Sequence, residues 1–272
     1  MMLRAAIRGI GLWGPGLFGW AESPPVLTGA KPHDADERAP PAPLLLPANE
    51  RRRAGPAVRL ALTVAEAAVA MAREADPALD AARLRAVFAS SNGEGAVVDD
   101  LLKTLADPTE PLGVSPTQFH NSVHNVAAGY WSIAQGGRAP ADSLAAHDTT
   151  FAAGLLKALA ETVAEAAPVL FCLFDAPLPF PLSRCRRTDF PFAMALVLAP
   201  DLPGAGACAR IAARFEASEA ALARPRAPAL AALVEGNPAA QSLALLETLA
   251  RGERRRLAAP LLCGHLAFEV TP

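Results

Sequence analysis

Apolar runs and polar breaks alternate along the chain in a pattern that predicts strands separated by helices. Mainly apolar runs at residues 5–12, 168–175 and 191–200 are typical of strands that are buried on both faces of a sheet. Apolar positions that recur every three or four residues predict amphipathic helices at residues 58–75 and 149–166. This order of elements indicates a layered α/β domain, in which we expect a mixed, mostly parallel sheet between helices.

One segment, residues 115–154, has the layout of a catalytic segment. It predicts a polar loop, a small-residue helix at residues 125–135 with Asn125 as N-cap, a short strand at residues 143–147 and a further helix. A nucleophile could lie at the step from this strand to the last helix, where the sequence reads AHDTT. The step contains neither a cysteine nor a serine framed by glycines, and Asp148 or the threonine after it is the expected helix cap.

The composition narrows the class of protein. The chain has 272 residues, of which 52% are hydrophobic and 19% are charged, as is typical of a globular protein with ample core. The formal net charge of −2 argues against a nucleic-acid partner, and the short basic runs at residues 51–53 and 254–256 are expected to be solvated helix ends.

The sequence also lacks the signs of a membrane or export segment. We expect no membrane span, because no run of about 18 apolar residues occurs. Glycines interrupt the apolar N-terminal stretch, which argues against a signal peptide.

The four cysteines are scattered, without a CxxC pair or a zinc-type spacing. Cys172 lies in an apolar run and is expected to be buried in the core. We expect free thiols in a reducing compartment, and therefore a cytoplasmic protein. The sequence contains no P-loop and no GxGxxG motif after a strand, so no cofactor is expected.

Two pairs of residues could carry chemistry without a cofactor. His147 and Asp148 could act as a base and its orienting carboxylate, although neighbours at the end of a strand are expected to face apart. His120 and His124 are four residues apart, as metal ligands on a helix can be, but the loop before them and the cap after them argue against a shared helix. No carboxylate or cysteine accompanies these histidines, so we expect hydrogen bonds within a loop and no metal.

Three stretches of the sequence resemble the N-terminal half of a β-ketoacyl synthase, which has the thiolase-like fold. They read AIRGIGLWGPG, LLPANERRRAGPAVRLALTVAEAA and SPTQFHNSVHNVAAGYWSIAQGGRAP. The chain looks most similar to chain-length factors and to the short synthase-like proteins found beside aryl polyene and related polyketide genes. The resemblance implies a synthase-like N-terminal domain over residues 1–200 and a short α/β extension over residues 201–272 in place of the usual second half.

The resemblance also implies that the family's chemistry is missing. Active members carry a nucleophilic cysteine at the start of the helix after the short strand, where the helix dipole and free N–H groups stabilise a thiolate. Counting without gaps from Ile133 puts this position at Asp148, and a small gap would move it to Ala146 or His147. The glycine that the family has three residues later is then Phe151. The two catalytic histidines of the family's C-terminal half have no counterpart, since His265 is the only histidine after residue 200.

We therefore expect an inactive, chain-length-factor-like subunit of fatty acid or polyketide biosynthesis. By resemblance its partners are a full-length ketosynthase, in a heterodimer, and an acyl carrier protein. In the family the two protomers meet through central strands and the small-residue helix. The residues expected to shape the acyl tunnel are Phe119, His120, Asn125, Tyr130, Trp131 and Phe151.

Two other functions stay open at this point. The chain could be a small acyl-thioester hydrolase or transferase that uses His147, Asp148 or a nearby serine. It could also be a scaffold that binds an acyl carrier protein.

Overall fold

Strands and helices form close to where the apolar pattern predicts them. A computed structural model describes residues 1–36, 38–107, 109, 113–202 and 206–272. The strands are β1 (Leu3–Gly14), β2 (Leu17–Phe18), β3 (Arg85–Ala89), β4 (Ala141–Leu144), β5 (Val169–Asp175), β6 (Phe192–Pro200), β7 (Ala209–Glu216), β8 (Arg255–Leu261) and β9 (Gly264–Thr271). The α-helices are α1 (Pro24–Leu27), α2 (Ala48–Arg53), α3 (Pro56–Ala75), α4 (Gly95–Ala106), α5 (Pro116–Ser122), α6 (Val126–Gln135), α7 (Thr150–Glu165), α8 (Pro228–Gly236) and α9 (Leu243–Arg251).

All of these strands belong to a single sheet in the order β4-β3-β5-β6-β1-β7-β9-β8, with β2 paired to the end of β1. The predicted mixed sheet is confirmed, but the expectation that it is mostly parallel is wrong. Within the described ranges only the β3–β4 and β3–β5 pairs are parallel. These three strands are joined by helical crossovers, whereas β5–β6 and β8–β9 are joined by loops without an α-helix, which allow antiparallel pairing.

Helices cover the two faces of the sheet and create two cores. Helix α3 packs on β1, β5 and β6, and its core includes Trp131 of α6. Helix α7 lies on the opposite face, where it shares a core with α9 and with the inward side chains of β7, β8 and β9. The central strand β5 is buried along its whole length, because it has helices above and below it.

The approach of helix α3 to strand β1 depends on two glycines. A Cβ atom on Gly9 would lie 2.0 Å from the carbonyl oxygen of Ala68, and one on Gly11 would lie 2.0 Å from the carbonyl oxygen of Val64. No side chain fits in this space, so the glycines set the distance between the helix and the sheet.

Two predicted local features differ in the structure. The run of arginines at residues 254–256 does not end a helix, because it leads into strand β8, and Arg254 and Arg256 pair with Glu269 on the neighbouring strand β9. The short strand expected at residues 143–147 is β4 at Ala141–Leu144, so the polar turn before α7 is longer than the sequence pattern indicates.

The division of the chain at residue 200 stays a prediction. Strands β7, β8 and β9 follow that point in the sequence, and they continue the same sheet beyond β1. No helix in the described part of the chain is long and apolar enough to cross a membrane. Cys172, Cys185, Cys208 and Cys263 are free, and Cys172 is buried as predicted.

Candidate functional site at the turn before helix α7

The turn from residue 146 to residue 150 is held in a strained conformation. His147 has a φ of 52°, in the left-handed region that non-glycine residues seldom adopt. Its carbonyl oxygen accepts hydrogen bonds from Ser91 Oγ at 2.9 Å and from Thr150 Oγ1 at 2.6 Å. Thr150 Oγ1 also accepts a hydrogen bond from the backbone N–H of Ala146 at 3.0 Å. Two hydroxyl groups therefore fix the backbone at this position.

The positive φ brings the side chains of His147 and Asp148 together. His147 Nδ1 lies 3.2 Å from Asp148 Oδ2, so the expectation that these neighbours face apart is wrong. Asp148 Oδ1 lies 3.5 Å from Arg186 Nε, and the backbone oxygen of Asp148 accepts a hydrogen bond from Gln241 Nε2 at 2.7 Å. The N-cap position of α7 is Thr149, whose hydroxyl makes no capping hydrogen bond and instead donates to the Ala146 carbonyl oxygen at 2.7 Å.

A polar cavity of about 330 Å³ opens beside this turn. Arg186, whose side chain is only 9% exposed, spans from Asp148 to the backbone oxygen of Ser91 at 3.4 Å. The cavity is lined by His147, Asp148, Cys185, Arg186, Arg187, Val234, Glu235, Asn237, Pro238 and Gln241. A smaller cavity of about 140 Å³, lined by Phe151, Phe268 and other apolar side chains, shares Gln241, Val234 and Glu235 with it. The two cavities therefore lie side by side, and the smaller one is the more apolar.

A buried carboxylate holds the loop after β3, which in turn contacts this turn through Ser91. Asp175 ends strand β5, and its Oδ1 accepts hydrogen bonds from Ser90 Oγ and the Ser91 N–H, both at 2.9 Å, and from the Asn92 N–H at 3.0 Å. Burial raises the pKa of Asp175 to about 6, although the Ser90 hydroxyl lowers it. Sequence reasoning missed this residue, and the available signal was a lone acidic side chain at the end of an unbroken apolar strand.

Phe151 lies in the first turn of α7 and is fully buried. Its ring meets the ring of Phe268 edge to face, with centroids 6.2 Å apart. Three residues later is Gly154, where a Cβ atom would lie 2.6 Å from the Phe171 ring and 2.8 Å from the Ala89 Cβ. The helix therefore needs a glycine at residue 154 to pack on β3 and β5.

The six residues predicted to shape a tunnel do not meet at one place. Tyr130 and Trp131 are buried on the α3 side of the sheet, whereas Phe151 is buried on the α7 side. Phe119 and Asn125 are exposed, and the His120 ring lies against Tyr130 at 5.9 Å between centroids.

The two histidines with metal-like spacing do not share a helix. Helix α5 carries His120 and ends at Ser122, before His124. His124 Nε2 lies 2.9 Å from the backbone oxygen of Ser90, as expected for a histidine bonded within a loop. The described ranges hold no cluster of ligands for a metal ion.

A sequence profile for the family described as "Beta-ketoacyl synthase, N-terminal domain" matches residues 22–259. The chain belongs to the family of β-ketoacyl synthase N-terminal domains. Curated protein sequences contain no match to this β-ketoacyl synthase-like chain.

Solved structures show that this synthase-like chain has the layered fold of ketosynthases. One is the ketosynthase ApeO in complex with its chain length factor ApeC from Xenorhabdus doucetiae, with 23% identity, a TM-score of 0.70 and coverage of 99% of this chain and 100% of that one. Another is the AntDE:AntF complex of a type II PKS acyl-carrier protein with its ketosynthase, with 13% identity, a TM-score of 0.73 and coverage of 100% and 99%.

A third similar structure shows how this chain compares with a longer synthase. It is ketosynthase twelve of the bacillaene polyketide synthase in Bacillus amyloliquefaciens, with 14% identity and a TM-score of 0.54. The match covers 80% of this chain but only 46% of that chain.

Proposed function

We propose that the chain is a catalytically inactive, chain-length-factor-like subunit that pairs with a full-length ketosynthase. The proposed assembly is a cytoplasmic heterodimer in fatty acid or polyketide biosynthesis, including the aryl polyene type. An acyl carrier protein is its second proposed partner. The geometry at the start of helix α7 carries this proposal, because that is where the family holds its nucleophile.

We infer that Phe151 occupies the nucleophile's position, in preference to Asp148, Ala146 or His147. Helix α7 begins at Thr150, so Phe151 is the residue in its first turn that is followed three positions later by a glycine. That glycine, Gly154, is required by its contacts with Phe171 and Ala89. A benzyl group in place of a thiol cannot accept an acyl group, and it fills the space that an acyl chain would enter.

The buried cysteine of the core, Cys172, does not offer a substitute nucleophile. Cys172 lies on β5 with its thiol fully buried, and burial raises the pKa of this thiol far above its usual range. A thiol in that state does not supply a thiolate at neutral pH.

The partner surface that we propose begins at strand β4. This strand ends the sheet, so its outer edge is free among the described strands and can pair with another chain. Helix α6 packs beside β4 and exposes a stripe that contains Asn125, Gly129 and Ile133. A Cβ atom on Gly129 would have no neighbour within 4 Å, so a partner could approach the backbone closely here.

Apolar side chains extend this surface beyond the stripe. Ile133 is 72% exposed and Phe119, on the neighbouring helix α5, is 63% exposed. Leu102 and Leu105 lie exposed on α4, which packs against α5. Exposed apolar residues on three adjacent helices are typical of a surface that another protein covers.

Co-expression with an active ketosynthase tests the function. We expect the chain alone to turn over no acyl thioester, and we expect its presence to change the chain length of the products that the ketosynthase makes. The product lengths would be compared by mass spectrometry with and without the chain. Unchanged products would contradict the proposal. Turnover by the chain alone would favour a hydrolase or transferase that uses His147 and Asp148.

A further inference from the structure

On the side of the sheet that carries helix α3, that helix covers β1 beyond its first residues but leaves β7, β9 and β8 uncovered. The helices with appreciable contacts to β7, β8 and β9 are α7 and α9, which lie on the buried side with Ile211, Phe268 and Leu257. On the opposite side, within the described part of the chain, these strands form an open concavity of about 480 Å³.

The strand register places small residues at the centre of this face and charged residues around them. One row runs from Arg4 on β1 through Ala212 and Glu269 to Arg256 on β8. The next row contains Arg214, Ala267 and Ala258. We call this surface the arginine trough.

The arginine trough carries an excess of positive charge. Its arginines are Arg4, Arg210, Arg214, Arg254 and Arg256, and its carboxylates are Asp201, Glu216 and Glu269. Glu269 is shared by two arginines, at 2.8 Å and 3.4 Å. Arg4 is exposed and has no ion pair within the described ranges. Five arginines against three carboxylates give an excess of two positive charges, on a chain whose formal net charge is −2.

The dimensions of the trough match those of one helix. Four strands at a spacing of about 4.8 Å span about 14 Å, and a helix with its side chains is about 10 Å wide. The alanines at the centre allow a helix to lie close to the sheet, and the arginines on both sides would face carboxylates on that helix.

We infer that the arginine trough binds an acidic helix of the acyl carrier protein. The inference rests on the proposed function for the identity of this partner, and on the charge and shape of the trough for its location. Strand β4 and strand β8 are at opposite ends of the sheet, so a ketosynthase bound at β4 leaves the trough free. The acyl carrier protein would then be bound to this subunit while it exchanges acyl groups with the ketosynthase.

A titration of the full chain with an acyl carrier protein of type II polyketide biosynthesis tests the inference. The test variant is R4E/R256E, which reverses two exposed arginines of one row and leaves Arg254 as a partner for Glu269. The control variant is R52E/R83E, which makes the same change of charge at exposed arginines outside the trough. We expect the test variant to raise the Kd about tenfold or more at low salt and to flatten its salt dependence, while the control stays close to the unmodified chain.

A second variant distinguishes binding within the trough from non-specific electrostatic attraction between the carrier protein and the chain. Ala267→Tyr fills the centre of the trough without changing charge, and we expect it to raise the Kd and to leave the salt dependence intact. The inference is overturned if the carrier protein does not bind, if both charge variants weaken binding equally, or if A267Y binds as tightly as the unmodified chain. Co-purification of each variant with the ketosynthase is recorded separately, so a failure of the heterodimer is recognised as a failure of the proposed function.

Discussion

At the scale of single residues, two buried carboxylates organise the backbone around the candidate site. Asp175 holds the loop after β3 through three hydrogen bonds to one oxygen. Glu94, the residue before helix α4, is buried, and its Oε1 accepts a hydrogen bond from the Val58 N–H at the start of helix α3 at 2.6 Å. Each carboxylate satisfies donors that the fold would otherwise bury without a partner.

The burial of Glu94 makes stability depend on pH. Burial raises its pKa from 4.5 to about 7, against the opposing hydrogen bonds of Val58 and Ala57. The folded state then binds a proton more tightly than the unfolded state. The contribution of Glu94 to stability is therefore greatest below pH 4.5, and about 3 kcal/mol of it is lost as the pH rises through about 7.

Replacement of Glu94 by glutamine is expected to remove this contribution. Glutamine resembles the protonated acid, so we expect the stability of E94Q relative to the unmodified chain to rise by about 3 kcal/mol between pH 4.5 and pH 8. Urea unfolding at several pH values measures this difference. Glu74→Gln, at an exposed position on helix α3, is the control and should give a constant difference. A constant difference for E94Q as well would show that Glu94 is not held as described.

Little of this residue-scale organisation could be predicted from the sequence. Counting residues without gaps from Ile133 placed the nucleophile's position at Asp148, whereas the observed start of α7 favours Phe151. The count fell short because the turn between β4 and α7 is longer than the sequence pattern indicates. The pairing of His147 with Asp148 depends on a positive φ that no sequence rule assigns to histidine. Long-range contacts, such as that between Asp175 and Ser90, leave no local pattern at all.

At the scale of elements, periodicity was a reliable guide wherever one face of an element is apolar. Helices α3 and α7 begin and end within two residues of the predicted positions. The sequence pattern did not predict strand β8, because the strand begins with arginines and its solvent-facing side chains form part of the arginine trough. The direction of the strands was also predicted incorrectly, since direction depends on what connects the strands and not on their own composition.

The contact between α3 and β1 gives an element-scale prediction. Gly11→Ala would place a methyl group 2.0 Å from the Val64 carbonyl oxygen, so the helix must move away from the sheet. We expect a loss of about 3 kcal/mol in the free energy of unfolding, measured with urea.

Gly129→Ala is the matched control for this change. It adds the same methyl group on helix α6, where no atom lies within 4 Å, and alanine favours a helix over glycine by up to about 1 kcal/mol. The control should therefore be as stable as the unmodified chain or more so. Equal stability of the two variants would contradict the close packing of α3 on β1.

At the scale of the whole molecule, the sheet has two different ends. The β4 end is flanked by exposed apolar residues on α4, α5 and α6, and the β8 end carries the arginine trough. A chain with two such surfaces is suited to join a ketosynthase to a second protein. The fold class and the family could be predicted from the sequence, because they depend on the order of elements over the whole chain.

The central claim is that the β4 end binds a ketosynthase, and the mass of the complex tests it most directly. The chain would be co-purified with an active full-length ketosynthase, and the mass of the complex would be measured by light scattering. Two variants would be compared, Ile133→Glu at the β4 end and Leu262→Glu, which changes an 82% exposed leucine in the β8–β9 turn. We predict a one-to-one complex for the unmodified chain and for L262E, and a chain free of ketosynthase for I133E. A chain that ignores the ketosynthase, or an I133E variant that binds it as well as L262E does, would contradict the account.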